Sequence, residues 1–502
     1  MSRRDTLGAG RRRLLGGLAT LGAGLPLPAL AHRHAALLAR RDGPPAKRRV
    51  ESPYGPVSPA IDETTGLVLV ELPAGFRYRS FSWAGDPMDD GQPCPGNHDG
   101  MGIVGGDPDA DEWLLVRNHE RWSGPVFSAP ATYDSGAMPE GVPLAASGGA
   151  TSLRVRRGRL ASARPSLAGT LINCAGGATA WGTWLSCEEI MLDAVSSTGR
   201  RHGYVFEVDP DPLRTSGKPI IGMGRFSHEA AAVDPLRGDV YLSEDAWESA
   251  ASGFYRYLPH DRSGRRGSLE AGGRLQAARV RDRPNADLRA PATGERHRIE
   301  WIDIADPDAD SRRLALEAGG ESKRVSGPFA QAWAEGGLLL ARGEGLCFGD
   351  GILMMADTAA GRDAAGAPGR GPGALWAFDP ARDELVAVFA GQQALAGHHP
   401  DNLAFDPRGR LMFCEDGDGI DEDGRFGNRL MGVDAEGRSF VFARNAAVLD
   451  AGALAAAGKR CAPGDYRSAE FAGICFDPSG RWLFVNIYSP GLSLAITGPW
   501  HS

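Results

Sequence analysis

The 502-residue chain lacks most signatures that assign a chemistry at once. It has no Cys-x-x-Cys pair, which removes the usual zinc ribbons and thioredoxin-like redox motifs. It has no nucleophile elbow, no P-loop and no dinucleotide-binding glycine fingerprint. No basic patch stands out in the body of the chain and the formal net charge is −8, so no nucleic-acid partner is expected. Beyond the N-terminal segment no apolar run is long enough to span a bilayer, and no stable membrane anchor is expected. Seven cysteines cannot all pair, so at least one thiol is free. Glycine and proline are plentiful, 69 and 35 residues, and they punctuate short apolar strands. That pattern belongs to a turn-rich β fold rather than to disorder.

The chain is organised around the stretch His228 to Asp245, HEAAAVDPLRGDVYLSED. Ala231-Ala232-Val233 and Val240-Tyr241-Leu242 read as strands around a D-P-x-x-G turn. A hairpin brings its open ends together, so the acids at both ends share one sheet edge. The same phrase recurs from Asp401 (DNLAFDPRGRLMFCED), Glu344 (EGLCFGDGILMMAD), Cys174 (CAGGATAWGTWLSCEE), Asp99 and Glu470. A repeated hairpin unit predicts a radial architecture, an all-β six-bladed β-propeller with the acidic ends at one mouth of the axial channel. So many carboxylates in one mouth repel unless cations lie among them. The alternative is that each acid only caps its own strand at the solvent. That alternative leaves unexplained why one copy opens on a thiol, Cys174.

The N-terminus reads differently. Arg11-Arg12-Arg13-Leu14-Leu15, a Gly/Ala/Leu stretch and Pro28-Ala29-Leu30-Ala31 resemble a twin-arginine export signal over residues 1–31. Its removal, with five Arg and one Asp, would take the net charge from −8 to −12. The expected destination is periplasmic or secreted, with the twin-arginine export machinery as a partner. Residues 32–60 read as a linker and 61–502 as the propeller domain. The interval of about 260–340 lacks the repeat and is expected to be an inserted, partly helical cap, with 305–319 helical. The Ala-rich stretch 446–459 is expected to form a short helix.

Arg342 and Glu344 lie two apart and would face the same channel if both lie on one strand. The guanidinium could be a structural ion pair or a bidentate clamp for an anionic substrate. His119, His228 and His398-His399 could be ligands or packing residues. The acidic loop 416–424 has the composition of a calcium loop but lacks the closing Glu of an EF-hand.

Taken in order, NHE at 118–120, NCAGG at 173–177, WLSCEE at 184–189, SHEA at 227–230, ARGEG at 341–345, PDN at 400–402, CEDG at 414–417 and the C-terminal NIYSPGLSLAITGPW resemble the secreted PhoX-type alkaline phosphatases. The resemblance runs from about residue 50 to the C-terminus. It implies a six-bladed propeller with an axial cluster of ferric iron (Fe3+) and calcium (Ca2+), acting on a small-molecule phosphomonoester. It implies that Cys174 is a thiolate ligand of iron, that Glu229 and Glu344 are bridging carboxylates, and that Arg342 clamps phosphate. Asp401, Glu415, Glu188, Glu120 and Asp99 join the expected ligand set through their places in the repeat. Two rivals remain: a calcium-dependent lactonase or esterase on the same architecture, and a non-catalytic binding propeller stiffened by calcium. Cys174 and Arg342 argue against both.

Overall fold

The computed structural model describes residues 50–317, 320–390, 398–421, 424–434 and 437–500. The export signal expected at 1–31 lies outside the described residues. Strands dominate and helices are few, as the turn-rich composition predicts. Six antiparallel hairpins carry the repeat. Their first strands are His98–Asp107, Asn173–Ala178, His228–Val233, Gly343–Gly349, Pro400–Phe405 and Phe471–Phe476.

The turns show why the phrase folds this way. Asp234 Oδ1 accepts from the backbone N–H groups of Leu236 and Arg237, and Asp406 Oδ1 does the same for Arg408 and Arg410. These side-chain caps supply the turn's hydrogen bonds locally. The following Gly238 and Gly409 sit at φ of 74° and 77°, where a Cβ would be strained.

Each hairpin is widened outward by one or more strands. Gly148–Arg156 and Arg159–Thr170 extend the first, and Ala374–Asp379 and Glu384–Ala390 extend the fourth. Chain closure is made at the sixth. There the C-terminal strand Leu492–Thr497 pairs with the N-terminal strand Arg77–Phe81. The first strands touch in cyclic order, 98–107 against 173–178, then 228–233, 343–349, 400–405, 471–476 and back to 98–107. A separate apolar cluster fills the wedge between each pair of neighbouring sheets. Leu185, Val205 and Val240 pack between the second and third, and Met412, Phe440, Leu483 and Leu494 between the fifth and sixth. Where the first strands converge, side chains would collide. Gly473, at φ 62°, would put a Cβ 2.5 Å from the Asp99 carbonyl oxygen. Gly100 would put one 2.6 Å from the Ala175 Cα.

Three expectations are corrected. The interval 260–340 is not a separate cap, since its strands Gly273–Val280 and Arg296–Asp303 are part of the ring's sheets. Arg296–Asp303 pairs with both Gly273–Val280 and Glu384–Ala390 and so joins the third and fourth sheets. Residues 305–317 hold no helix; a two-stranded ribbon, Arg312–Ala315 with Ser322–Val325, stands there instead, and the helix of this interval is Gly327–Ala334. Pro307 and the Asp306, Asp308 and Asp310 turn-formers outweigh the alanines. The linker ends before residue 60, since Val57–Ile61 pairs with Val68–Pro73 and Tyr54 packs edge-on against Phe76 and Phe442. The helix expected within 446–459 is present as Ala451–Ala456. Among the described residues, no helix is long and apolar enough to cross a membrane.

Candidate metal centre

Each of the first five hairpins opens with the same irregularity. The residue before the candidate ligand pairs with the end of the return strand: His98 with His119, Asn173 with Glu188, His228 with Glu244, Gly343 with Asp357 and Pro400 with Glu415. The register then shifts, which places Asp99, Cys174, Glu229, Glu344 and Asp401 in β-bulges. A bulge re-aims a side chain and ends regular pairing. Here it gathers five groups of ligand type at one end of the ring. Polar side chains of neighbouring hairpins then clamp these backbones. Asn118 Nδ2 donates to the Cys174 carbonyl at 2.8 Å, Ser243 Oγ to that of Glu344 at 2.6 Å, and Asn486 Nδ2 to that of Asp99 at 2.6 Å.

Two sets of three buried groups result. One ligand atom each from Cys174, Glu189 and Glu229 lies within 4.8 Å of the others, and the same holds for Glu229, Glu344 and Asp401. Glu229 belongs to both. Neither of its carboxylate oxygens has a hydrogen-bond partner, and Asp99 Oδ1 has none either. Burial, reinforced by the neighbouring acids, pushes Glu229, Glu344, Asp401, Glu189 and Asp99 well above the usual carboxylate range. Glu120 is pushed up to about 7, chiefly by burial and by the fields of Asp416 and Asp401. The Cys174 thiol is raised by burial and then by Asp99 and Glu229. Two charges 4.8 Å apart repel by roughly 3–4 kcal/mol at an effective dielectric of about 20. Several such pairs would consume a domain's whole stability of about 5–15 kcal/mol. The cluster must therefore hold protons or cations. Unpartnered carboxylate oxygens converging with a thiol are a donor set that fits cations.

One cation is built in. Arg342 Nε donates to Asp245 Oδ1 at 2.8 Å and Nη2 to Asp245 Oδ2 at 2.5 Å, and Nη2 lies 3.4 Å from Glu344 Oε1. Burial works against its charge, but Asp245 and Glu344 more than offset this and keep it a cation. Its side chain remains 28 % exposed while its carboxylate partner Asp245 is buried.

Four of the sequence-predicted ligands, Asp99, Glu120, Glu188 and Glu415, lie outside these two sets, and for Glu188 and Glu415 the expectation is corrected, because the protein's own groups take up their oxygens. Glu188 accepts from the N–H groups of Leu171, Gly203 and Tyr204 and from His202. Glu415 is held by Arg429 through Nε and Nη2, at 2.6 and 2.7 Å, and accepts from His398 N. The physical reason is the strand period of two. Glu188 and Glu415 are the last residues paired in register, and the next residue faces the other way. Glu189 and Asp416 are the acids whose fields reach the cluster. Asp245 stands in the same relation to Glu244. The doublets Glu188-Glu189, Glu244-Asp245 and Glu415-Asp416 were the signal in the sequence. Glu120 already occupies this later position, one beyond His119. The sixth hairpin has no acid within its first strand, but Glu470, just before it, is raised by burial and by Asp416, Asp401 and Asp99.

His119 and His228 are packing residues, and His399 Nδ1 bonds the Thr358 carbonyl. His119 bonds Gly96 O and Thr151, and His228 bonds Gly224 O and stacks on Phe226. In the acidic loop, Asp418 Oδ1 accepts from Ile420 N and Asp421 is taken by Arg444. Residues 422–423 lie outside the described residues.

The sequence profile of the alkaline phosphatase PhoX family matches residues 52–164 and 138–491. The chain belongs to the alkaline phosphatase PhoX family. It is accordingly an alkaline phosphatase, in a family of metal-dependent enzymes. Among solved structures it is similar to Pseudomonas fluorescens PhoX in complex with vanadate, a transition state analogue, at 19% identity and a TM-score of 0.60. That match covers 88% of this chain and 97% of that one. A gluconolactonase from Xanthomonas campestris overlaps more loosely, at 14% identity and a TM-score of 0.37 over 90% of this chain and all of that one. No curated protein matches the chain at a significant level.

Proposed function

We propose that the protein hydrolyses small phosphate monoesters at the mouth of a six-bladed propeller, with iron and calcium bound among the ring acids. The family membership supports the phosphatase class. The carrying observation is Glu229, a buried carboxylate shared by two three-ligand sets with both oxygens unpartnered. A buried charge in that state persists only if something outside the protein's own hydrogen bonds compensates it. Cys174, Glu189 and Glu229 would hold the softer ion, because a thiolate selects iron over calcium. Glu229, Glu344 and Asp401, with Asp99 and Glu120 nearby, form an oxygen-rich set that suits calcium.

When bound, such ions neutralise charge on a phosphoryl group and activate an oxygen nucleophile. The chain's own residues do the rest. Arg342 is held by Asp245 in one orientation, so its fork is preorganised before substrate arrives. Its exposed part meets phosphoryl oxygens at the mouth and strengthens its grip as charge builds on them. Asp245 keeps the guanidinium charged and aimed. The vanadate complex of the Pseudomonas fluorescens protein agrees with a phosphate-shaped ligand in this fold.

Arg342→Ala should lower kcat/KM for a phosphomonoester by about 30- to 1,000-fold with metal content kept, the scale of one lost charge-stabilising contact. Unchanged turnover would leave Arg342 as a structural ion pair. Lactone hydrolysis without phosphatase activity would transfer the site to the lactonase reading.

The twin-arginine-like segment 1–31 supports a periplasmic or extracellular location for this chemistry. Replacing Arg11 and Arg12 by Lys should hold the precursor in the cytoplasm. Normal export of that variant would rule out the twin-arginine route.

A further inference from the structure

Two tryptophans are left exposed beside the candidate centre. Trp122 and Trp247 are 40% and 49% exposed, and their rings meet edge-to-face with centroids 6.4 Å apart. They come from different hairpins, yet each follows a centre acid by two residues, Trp122 after Glu120 and Trp247 after Asp245. Large exposed aromatics gathered at a functional mouth mark a contact surface.

Both are fixed in place. The Trp122 carbonyl accepts from Ala145 N at 3.1 Å. Its side chain is close enough to Glu120 to favour the ionised carboxyl. Trp247 lies in a turn closed by bonds from Ser249 N and Ala250 N to the Ala246 carbonyl. Lys323 Nζ of the 312–325 ribbon braces that turn through the Ser249 carbonyl. The turn is also tied to the arginine. Ala246 N donates to Ser252 Oγ at 3.1 Å, and Ser252 Oγ donates to the carbonyl of Ala341, the neighbour of Arg342, at 3.0 Å. The indole pair is thus tied to Glu120 on one side and, through the Trp247 turn, to the backbone that supports Arg342 on the other.

We propose that the Trp122–Trp247 pair is a leaving-group subsite that takes a flat aromatic ring. The proposal rests on the phosphatase reading. With the phosphoryl group held at Arg342, the leaving group must project outward. The indoles are then the large apolar surface it meets first. One indole presents a face and the other an edge, and a planar ring can satisfy both. A short polyol gains neither contact. The subsite thus selects aryl and nucleoside monophosphates over glycerol phosphate.

The test uses the intact metal-loaded enzyme and two non-hydrolysable probes. Phenylphosphonate should compete about three- to tenfold more tightly than methylphosphonate, the scale of one aromatic contact. Trp247→Ala should bring that ratio to about one. Trp122→Leu should do the same, with metal content measured because this side chain neighbours Glu120. The ratio of kcat/KM for phenyl phosphate, and separately for adenosine 5′-monophosphate, to that for glycerol phosphate should fall in parallel. A fall for only one of the two identifies which ring source the subsite fits. Equal phosphonate affinities in the unmodified enzyme, or a phenyl preference that survives both substitutions, would overturn the subsite alone. Absence of turnover on every ester, with neither phosphonate bound, would overturn the phosphatase reading beneath it.

Discussion

Two kinds of buried acid line this ring and meet opposite fates. Glu188, Glu244 and Glu415 close their return strands, and their oxygens are taken up by backbone N–H groups, hydroxyls, a histidine or an arginine. Glu244, for example, accepts from Gly253 N, Tyr255 OH and Ser326 Oγ. Across the ring, Glu229 is equally buried and accepts nothing. Burial alone therefore does not separate a structural carboxylate from a ligand, whereas an account of each oxygen's partners does. The satisfied set holds the hairpin ends together. The unsatisfied set is held in place by its backbone and left open to cations.

The largest effect should come from the acid shared by both three-ligand sets. Glu229→Gln should strip metal and lower phosphatase activity by well over about a hundredfold, beyond the loss typical of an outer-shell partner. The metal-free variant should melt at a higher temperature than metal-free wild type, because one uncompensated buried charge is gone. Full metal content in this variant would erase the distinction between the two sets. Its counterpart on the satisfied side should behave in reverse. Glu188→Gln should cost on the order of 3 kcal/mol of stability and leave metal content intact, as read by thermal melts and elemental analysis.

The smallest effect is a pH dependence on the satisfied side. His202 sits between Glu188 Oε1 at 2.7 Å and Asp134 Oδ2 at 3.1 Å. Burial would lower its pKa, but the two carboxylates outweigh that and push it up to about 9. The folded value lies above the unfolded one of about 6.5. The stabilisation is therefore fully present below pH about 6.5 and is lost as pH rises through about 9. At most it amounts to roughly 3 kcal/mol. Stability measured between pH 6 and 10 should decline over that window in wild type and much less in Glu188→Gln. Identical profiles would remove His202 as the cause.

Much of the ring was legible because a hairpin, closed in three copies by an Asp-Pro turn ending in Gly, is a local event, repeated with ligand-type residues at the same place. Cys174, Glu229, Glu344 and Asp401 could be read from that phrase. The facing of the return strand could not. The strand period of two turns Glu188 and Glu415 away from the centre and leaves the next residues, Glu189 and Asp416, on the centre side, and composition does not record which residue of a doublet is the last one paired. The 305–317 stretch was misread for the opposite reason. Its alanines carry helix propensity, but its Pro and Asp residues set turns, and pairing with Ser322–Val325 decides the rest. Glu470 shows a third limit, since the sixth hairpin keeps the turn but brings its acid from just outside the strand.

The central claim is that the unpartnered ring acids and Cys174 exist to hold cations of two kinds. Elemental analysis of the purified protein, taken with its visible spectrum, tests this most directly. Iron together with calcium is predicted, with a visible thiolate-to-iron charge-transfer band that disappears with most of the iron in Cys174→Ser while calcium is partly retained. A colourless, active protein holding calcium alone, or a Cys174→Ser variant with normal iron, would contradict it.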